Sequence, residues 1–366
     1  MQMPNRHDLL EFLSRHFIWV VLVFTVVVFG LTINGYLGIA NIANILITGS
    51  VLGVMVIGQS LCLMARKLDL SAEGTVSLVA VVAAWLMLPY RETDLAQAGG
   101  LGVELDPLIV IPLILALGAV IGFANGFMIM KLNMNFFIVT LAMQLVLRGL
   151  ALAISEGAIM PGTPAAFNWL GGGRVAGIPV SVLATVGLYL VFGFVMSRMQ
   201  FGRKVYAVGA NEDAARASGF SPARTVILVY TASGFLAALA GWMLLGRLET
   251  SVPNLGIGLT LNVVAAAVIG GVSLKGGEGS IIGAFAGVLF LAMVNNALNL
   301  MNVDPLWVNA VRGLIILVAL IIDAQKSRYR GPGGSSTPTR TVAGDNGRSG
   351  SRDARHPERL QTPAAE

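Results

Sequence analysis

The chemistry open to this chain is bounded by polar side chains set into apolar runs. Asn295, Asn299 and Asn302 recur at spacings of four and three residues, so they share one helical face, with Asn296 beside it. Asn125, Thr140, Gln144, Arg148, Asn262 and Arg312 lie within or near other apolar runs. An intramembrane charge costs about 2.5–3.5 kcal/mol on insertion scales, and such groups usually face a bundle interior or a pathway. A single Asn is more often an interhelical hydrogen-bond partner, worth about 0.6 kcal/mol. As a set, these neutral amides and hydroxyls suit a polyol or sugar path better than a cation path. The scarcity of mid-span Asp, Glu or His argues against a proton-coupled pump. We assign the expected path to Asp69, Asn125, Thr140, Gln144, Asn262, Asn295 and Asn299.

Other chemistries fall away. The one cysteine, Cys62, sits inside an apolar run, so no intrachain disulfide and no Cys-based metal site can form. His7, His16 and His356 all lie outside the apolar runs, which excludes an intramembrane His cluster and leaves no expected metal site. The glycine-rich stretch 270–287, GGVSLKGGEGSIIGAFAG, invites a phosphate-binding reading. Lys275 precedes Gly276, however, and no Ser or Thr follows it as the P-loop pattern requires. Nucleotide binding is rejected there, and the chain is expected to bind no cofactor of its own. The stretch is read instead as a tight, non-helical turn.

Residues 198–224 form the most informative loop. Asn211 is a good N-cap, Glu212 and Asp213 complement the dipole of a first turn, Ala214, Ala215 and Ala217 favour helix, and Gly219 suits a C-terminal stop. A plain solvated connector does not need such complete start and stop signals. A docking element for a soluble partner does, because a rigid helix transmits force. On that reading Gly209→Trp and Arg203→Glu should abolish docking and leave the fold intact. A third stretch, Arg66–Gly74 (RKLDLSAEG), offers Asp69 or Ser71 as a cap for the next helix, with Glu73 in its first turn. It reads either as an ordinary capped turn or as a break in a span, tolerated where it lines a water-filled path.

The elements that must position these residues are membrane spans. Of 366 residues, 55% are hydrophobic and only 12% charged, which nearly excludes a soluble enzyme or a nucleic-acid binder. A span needs roughly 20 apolar residues. About ten runs qualify, near 17–34, 43–65, 74–89, 107–130, 136–155, 178–197, 225–246, 259–273, 279–301 and 306–323. The expected fold is therefore an all-α polytopic membrane protein of about ten transmembrane helices. With the N-terminus inside, the inward turns hold Arg66, Lys67, Lys131, Arg198, Arg203, Lys204, Arg216, Arg224, Lys275, Lys326, Arg328 and Arg330. The outward loops hold Arg91, Arg174 and Arg247, and an acidic stretch with Glu92, Asp94, Glu104 and Asp106. That asymmetry fits both termini in the cytoplasm. Residues 1–16 form an N-terminal cytoplasmic segment and 17–330 the permeating domain. Residues 331–366, rich in Gly, Ser, Thr, Pro and Arg, form a disordered cytoplasmic tail. Glycines at 118, 122 and 126 in the fourth run, and at 279, 283 and 287 in the ninth, suggest that runs 2–5 and 7–10 are an inverted repeat.

At these residues the sequence resembles the permease subunits of ribose-type sugar ABC importers, within the larger family that includes branched-chain amino-acid permeases. The resemblance spans roughly residues 40–325. The loop FGRKVYAVGANEDAARASGFSPART is similar to that family's cytoplasmic loop through Gly202, Arg203, Tyr206, Gly209, Asn211, Ala214, Ala215 and Gly219. The run AAAVIGGVSLKGGEGSIIGAFAGVLFL resembles its glycine signature through Gly270, Gly271, Gly276, Gly277, Gly279 and Gly283. NGFMIMKLNMNFFIVTLAMQLVLRGLAL and NNALNLM sit where the family has them. Two departures stand out. Arg66-Lys67-Leu68-Asp69-Leu70-Ser71-Ala72-Glu73-Gly74 replaces the family's G-G-I-D-L-S-V-G-S. Asn135 and Phe136 precede the FIVT run, where the family often has Pro.

The resemblance implies a permease in the bacterial inner membrane that pairs with itself or a similar permease. ATP-binding subunits, which carry ATP-Mg, would dock on the 201–219 loop, and an extracytoplasmic solute-binding protein would deliver a monosaccharide or related small polar solute. No covalent chemistry falls to this chain. Two other classes remain: a stand-alone secondary transporter, disfavoured by the lack of mid-span acids, and an intramembrane enzyme, for which no catalytic set exists.

Overall fold

A computed structural model describes residues 6–90 and 97–304, together with Trp307, Ala310, Gly313, Leu314 and Leu317; side chains are described from Ile18 onward. The tenth expected run, the acidic loop at 91–96, Arg312, and the tail with its basic residues lie outside the described residues, apart from the helical positions at 307–317 just named.

The described chain is mostly helical. In order come α1 (Arg6–Thr32), α2 (Ile39–Met64), α3 (Ala72–Met87), α4 (Pro107–Lys131), α5 (Phe136–Ile154), β1 (Met160–Pro161), α6 (Ala165–Gly172), β2 (Arg174–Val175), β3 (Ile178–Pro179), α7 (Val180–Arg198), α8 (Gln200–Ala210), α9 (Glu212–Ala217), α10 (Pro222–Leu248), β4 (Thr250–Ser251), α11 (Leu259–Ile269) and α12 (Ile281–Leu300). Six of these, α2, α4, α5, α7, α10 and α12, are long and apolar enough to cross a membrane. The apolar part of α1 (Ile18–Thr32), α3 and α11 are shorter. The chain is thus a polytopic helical membrane protein in which three of the expected spans are short. The first helix also starts earlier than expected, at Arg6 rather than 17.

Local sequence sets the helix starts. Asp106 accepts from the Leu108 N–H with Pro107 in the first turn of α4, and Asn135 accepts from the Phe137 N–H at the start of α5. Ser221, again followed by Pro, caps α10, and Ser280 caps α12. Ser71 does not cap α3 as expected: its backbone is helical, and its side chain makes no capping bond.

The core is α2, apolar on every side and buried almost continuously from Gly49 to Met64. By contrast α4, α5 and α7 each expose large apolar side chains, among them Val120 and Phe123, Ile138 and Leu145, and Leu190 and Phe194, as helices bordering a bilayer do. Contacts fix the relative directions. Gly118, Gly122 and Gly126 meet α10 at Ala238, Tyr230 and Ile227, so α4 and α10 are antiparallel. Asn41 pairs with Asn296, and Gly53 meets Val288, so α2 and α12 are antiparallel. Ser50 and Gly53 accept from Thr185 and Tyr189, so α2 and α7 run the same way. The glycine ladder of α4 lets backbones approach until a Cβ at Gly122 would overlap the Tyr230 carbonyl. The second expected ladder divides. Gly283 and Gly287 pack on α11 at Gly270 and Ala266, whereas Gly279 precedes α12 and packs on Val272 and Met64.

One end of the bundle collects the basic residues, because Lys67 reaches Glu212 and Gly209 lies against Met64 and Gly277. The opposite end is closed by two small antiparallel pairs: β1 with β4, distant in sequence, and the hairpin of β2 with β3 across Ala176-Gly177.

Candidate functional site

Two regions concentrate polar groups and close backbone packing. The first is at the basic end. The loop expected there contains two helices rather than one. Phe201, Val205 and Val208 give α8 an apolar stripe at helical spacing, and Gly202 and Gly209 are buried where it crosses its neighbours. A Cβ on Gly209 would collide with the Met64 carbonyl at the end of α2. Gly209→Trp therefore strikes the packing of α8, not docking alone, which corrects the expectation that the fold would be untouched. Tyr206 donates to the Gly279 carbonyl at 3.0 Å, and burial pushes its phenol pKa up, keeping it a donor.

Helix α9 follows as expected. Asn211 Oδ1 accepts from the N–H groups of Asp213 and Ala214 at 2.9 and 3.0 Å. At the other end the Gly219 N–H bonds the Arg216 carbonyl and the Phe220 N–H bonds the Ala215 carbonyl, a Schellman stop with Gly219 at φ +82°. Ala215 is buried while Ala214 and Arg203 are exposed, so the unit presents one face to solvent. It is also tied to the turn after α2. Lys67 Nζ lies 2.7 Å from Glu212 Oε1 and 5.9 Å from the Phe136 ring centre. The Gly277 N–H donates to the Met64 carbonyl at 2.9 Å, which binds the glycine turn to the same point. Gly276 packs on Arg66 and Gly277 on Ala210, while Gly271 takes a positive φ in the same turn.

Arg66 itself stands at φ +58°, in the left-handed region, and ends α2 by a Schellman stop: Arg66 N–H to Leu63 O and Lys67 N–H to Cys62 O, both 2.8 Å. A non-glycine residue there carries strain of about 1 kcal/mol.

The second region lies at mid-depth. After Lys67 the chain turns back into the bundle without forming helix. The Leu68 carbonyl accepts from Tyr230 at 2.9 Å, and Asp69 Oδ2 accepts from Ser233 at 2.8 Å. These partners stand about 12 and 16 Å along α10 from its start at Pro222. Asp69 Oδ1 accepts from the Ser71 N–H and hydroxyl at 2.9 and 2.7 Å, and Asn125 donates to that hydroxyl at 2.8 Å. Only then does α3 begin. The segment before α11 mirrors this. From β4 at the opposite end it descends past α3: the Ser77 hydroxyl donates to the Pro253 carbonyl, Gly256 lies on Val76, and Gly258 reaches Glu73. Helix α11 then completes the crossing in 11 residues, about 16 Å. The segment before α3 is non-helical, as one reading of Arg66–Gly74 expected, but Asp69 and Ser71 are buried rather than lining an open path; a second non-helical segment precedes α11 at 249–258.

The two breaks meet at Glu73. Its Oε2 accepts from the Gly258 and Thr260 N–H groups at 3.0 and 3.3 Å, so an acid in the first turn of α3 also caps α11. A small cleft opens there, lined by Glu73 and Ser77 of α3, Gln144 and Arg148 of α5, and the segment from Pro253 to Ile257. Arg148 donates to Asn254 Oδ1 at 3.2 Å. No ion pair joins Arg148 to Glu73.

Of the expected path residues, the structure brings Gln144 to this cleft. Asn262, one turn below Gly258 on α11, donates to the Gly258 carbonyl at 3.1 Å. Asp69 and Asn125 are buried behind the cleft and hold the break in place. The Thr140 hydroxyl donates back to the Phe136 carbonyl within its own helix. Asn295 and Asn299 lie on α12 and do not line the cleft, and Asn299 is exposed. Sequence reasoning passed over Glu73 and Arg148 as site residues. Arg148 carried a signal, an isolated charge in an apolar run, whereas Glu73 stands in the charged stretch with Arg66, Lys67 and Asp69 just before such a run.

The chain matches the family model described as branched-chain amino acid transport system / permease component, over residues 41–320. It is 35% identical to the ribose import permease protein RbsC of Escherichia coli K12 over 292 residues, 79% of this chain and 87% of that protein. It is also 35% identical to the L-arabinose transport system permease protein AraH of the same strain, covering 77% and 81% of the two chains. Similarity to RbsC of Bacillus subtilis reaches 34% over 289 residues, 78% and 85% of the chains. No solved structure matches. The chain belongs to this permease family, and it is a transport component rather than an enzyme.

Proposed function

We propose that this family member is the permease subunit of an ATP-driven importer for a pentose or a related small polar solute. The observation that carries the proposal is the α8–α9 unit. It is a short helix pair, capped at both ends of α9, with one face exposed and the other clamped by Lys67–Glu212 and Gly209–Met64 to the turn that leads into the mid-depth break. Such a unit couples a partner's motion to the pathway. Gly202, Arg203, Tyr206, Gly209, Asn211, Ala214, Ala215 and Gly219 form it, and ATP-binding subunits carrying ATP-Mg dock on it. Ribose and arabinose permeases among the relatives support a pentose.

The topology follows the same reading. Ten spans cross the bacterial inner membrane with both termini and the basic end in the cytoplasm, the tenth expected run lying for the most part outside the described residues. Breaks precede both the third and the eighth spans, and the antiparallel contact of the fourth span on the seventh corresponds to that of the ninth on the second. This supports an inverted repeat of helices 2–5 and 7–10, with the solute path at its centre. A solute-binding protein delivers cargo to the hairpin end. A second permease copy or paralogue covers the polar mouth of the cleft, which would be costly against lipid.

Co-purification from native membranes in mild detergent, followed by mass spectrometry, tests the proposal. An ATP-binding subunit and a solute-binding protein in the eluate are expected. A homo-oligomer carrying neither, repeated under gentle crosslinking, would instead support a stand-alone secondary transporter.

A further inference from the structure

We infer that α2, the break at 65–71 and α10 form an internal gate around Gln59: they part in another state of the transport cycle, and water then bonds the Gln59 amide. The inference rests on the importer reading above and gives its cycle a moving part.

The buried amide leads there. Gln59 is 1% exposed, and neither its Nε2 nor its Oε1 has a hydrogen-bond partner among the described residues. Buried polar groups are almost always bonded, and a carboxamide offers two donors and two lone pairs, so this side chain is poorly served where it stands. Its neighbours show where relief comes from. Gly58, the residue before it, packs on α10, where a Cβ would lie 3.0 Å from the Ser233 Cα. Ser233 donates to Asp69 of the break, Ser71 donates to the same carboxylate, and Asn125 of α4 donates to Ser71. Asn125 is fully buried, and its Oδ1 also lacks a partner. Two unmet amides therefore flank one chain of bonds, and that chain fastens the break to α10 and α4.

The break is the segment placed to move. It is non-helical, it starts at Arg66 in the left-handed region, and Lys67 ties it to Glu212 of the coupling unit. A pull on α9 is felt two residues before Asp69. Opening the Asp69–Ser233 bond admits water to both amides, and their new bonds offset the one lost. An amide unpaired in the shut layer and paired in the wet one brings the two states closer in free energy, as a cycling protein requires.

The one cysteine of the chain is a built-in reporter. Cys62 lies one turn beyond Gln59 on α2, is fully buried, and is close to Asp69 and Ser233. N-ethylmaleimide alkylates the thiolate, so its rate reports water at the sulfur. The experiment uses proteoliposomes holding the permease with its ATP-binding subunit and a saturating solute-binding protein. Alkylation of Cys62 is timed by mass spectrometry of its peptide, without nucleotide and with the ATPase trapped by vanadate. The two rates should differ at least about tenfold. Gln59→Leu should keep or raise the melting temperature, shrink that difference, and lose about tenfold in uptake of D-ribose or L-arabinose. If Q59L does not assemble, the wild-type rates decide alone. Equal rates in both conditions, or wild-type uptake by Q59L, overturn the gate while the importer stands. So does a fixed buried water, which shows as no alkylation in either condition and a lowered melting temperature for Q59L. A permease that retains no ATP-binding subunit, or an assembled complex that imports neither pentose, overturns the importer reading, and the gate with it.

Discussion

At the basic end the contacts that matter are made by backbone. Gly209 against the Met64 carbonyl and the Gly277 amide to that same carbonyl leave no room for a side chain, and the ion pair Lys67–Glu212 is partly exposed. At mid-depth the contacts are made by side chains. Asp69 gathers three donors, Glu73 caps a second helix, and Arg148 leans on Asn254. The difference teaches what each region must do. Backbone packing transmits displacement stiffly and reads no chemistry. Oriented carboxylates and guanidinium groups in a low-dielectric setting fix the ends of interrupted helices and tolerate little change. Residues 65–71 join the two, beginning at the Schellman stop of α2 and ending at the start of α3.

Substitutions can break this contrast or sharpen it. Asp69→Ala strips the acceptor from the Ser71 amide, the Ser71 hydroxyl and the Ser233 hydroxyl, all buried. It should cost about 3–5 kcal/mol, seen as lost thermal stability in detergent. Gly209→Trp should cost about 3 kcal/mol by overpacking, in the same assay, and weaken partner capture as a consequence. Arg203→Glu, at an exposed position, should leave the melting temperature unchanged. It should weaken binding of the ATP-binding subunit about tenfold, or about 1.4 kcal/mol, measured by pull-down titration. Arg66→Gly should stabilise by about 0.5–1 kcal/mol by relieving the left-handed residue, and unfolding curves read this directly. A double-mutant cycle on Lys67→Ala and Glu212→Ala should return a coupling of about 0.5 kcal/mol, lower at high salt.

Much of the fold is legible in the sequence, because apolar runs in lipid are long and caps are local. Asn211 and Gly219 mark a start and a stop that the structure keeps, and Asp106 with Pro107 and Asn135 are local caps of the same kind that sequence reasoning left unused. What escapes has a physical cause. The third and eighth runs, near 74–89 and 259–273, read as spans although they are shorter than about 20 residues, because hydropathy alone does not separate a half-helix from a crossing. Helix α8 hides because Gly202 and Gly209 read as loop residues, although they are there for close approach. Glu73 reads as a dipole complement to α3, and nothing local announces that Gly258 and Thr260, some 185 residues on, come to share it. Conversely, the shared face of Asn295 and Asn299 is plain in sequence and does not reach the cleft, since a helical face says nothing of which neighbour it meets. The departure from the family's glycines at Arg66 and Lys67 is also explained: one takes the left-handed position under strain, and the other makes the ion pair to α9.

The central claim of the proposed function is that partner coupling resides at the basic end and not in the mid-depth breaks. The most direct test is the affinity of the ATP-binding subunit for the purified permease, compared between Arg203→Glu and Glu73→Gln. The account predicts about a tenfold loss for the first and wild-type affinity for the second. Equal losses in both, or a loss confined to Glu73→Gln, would contradict it.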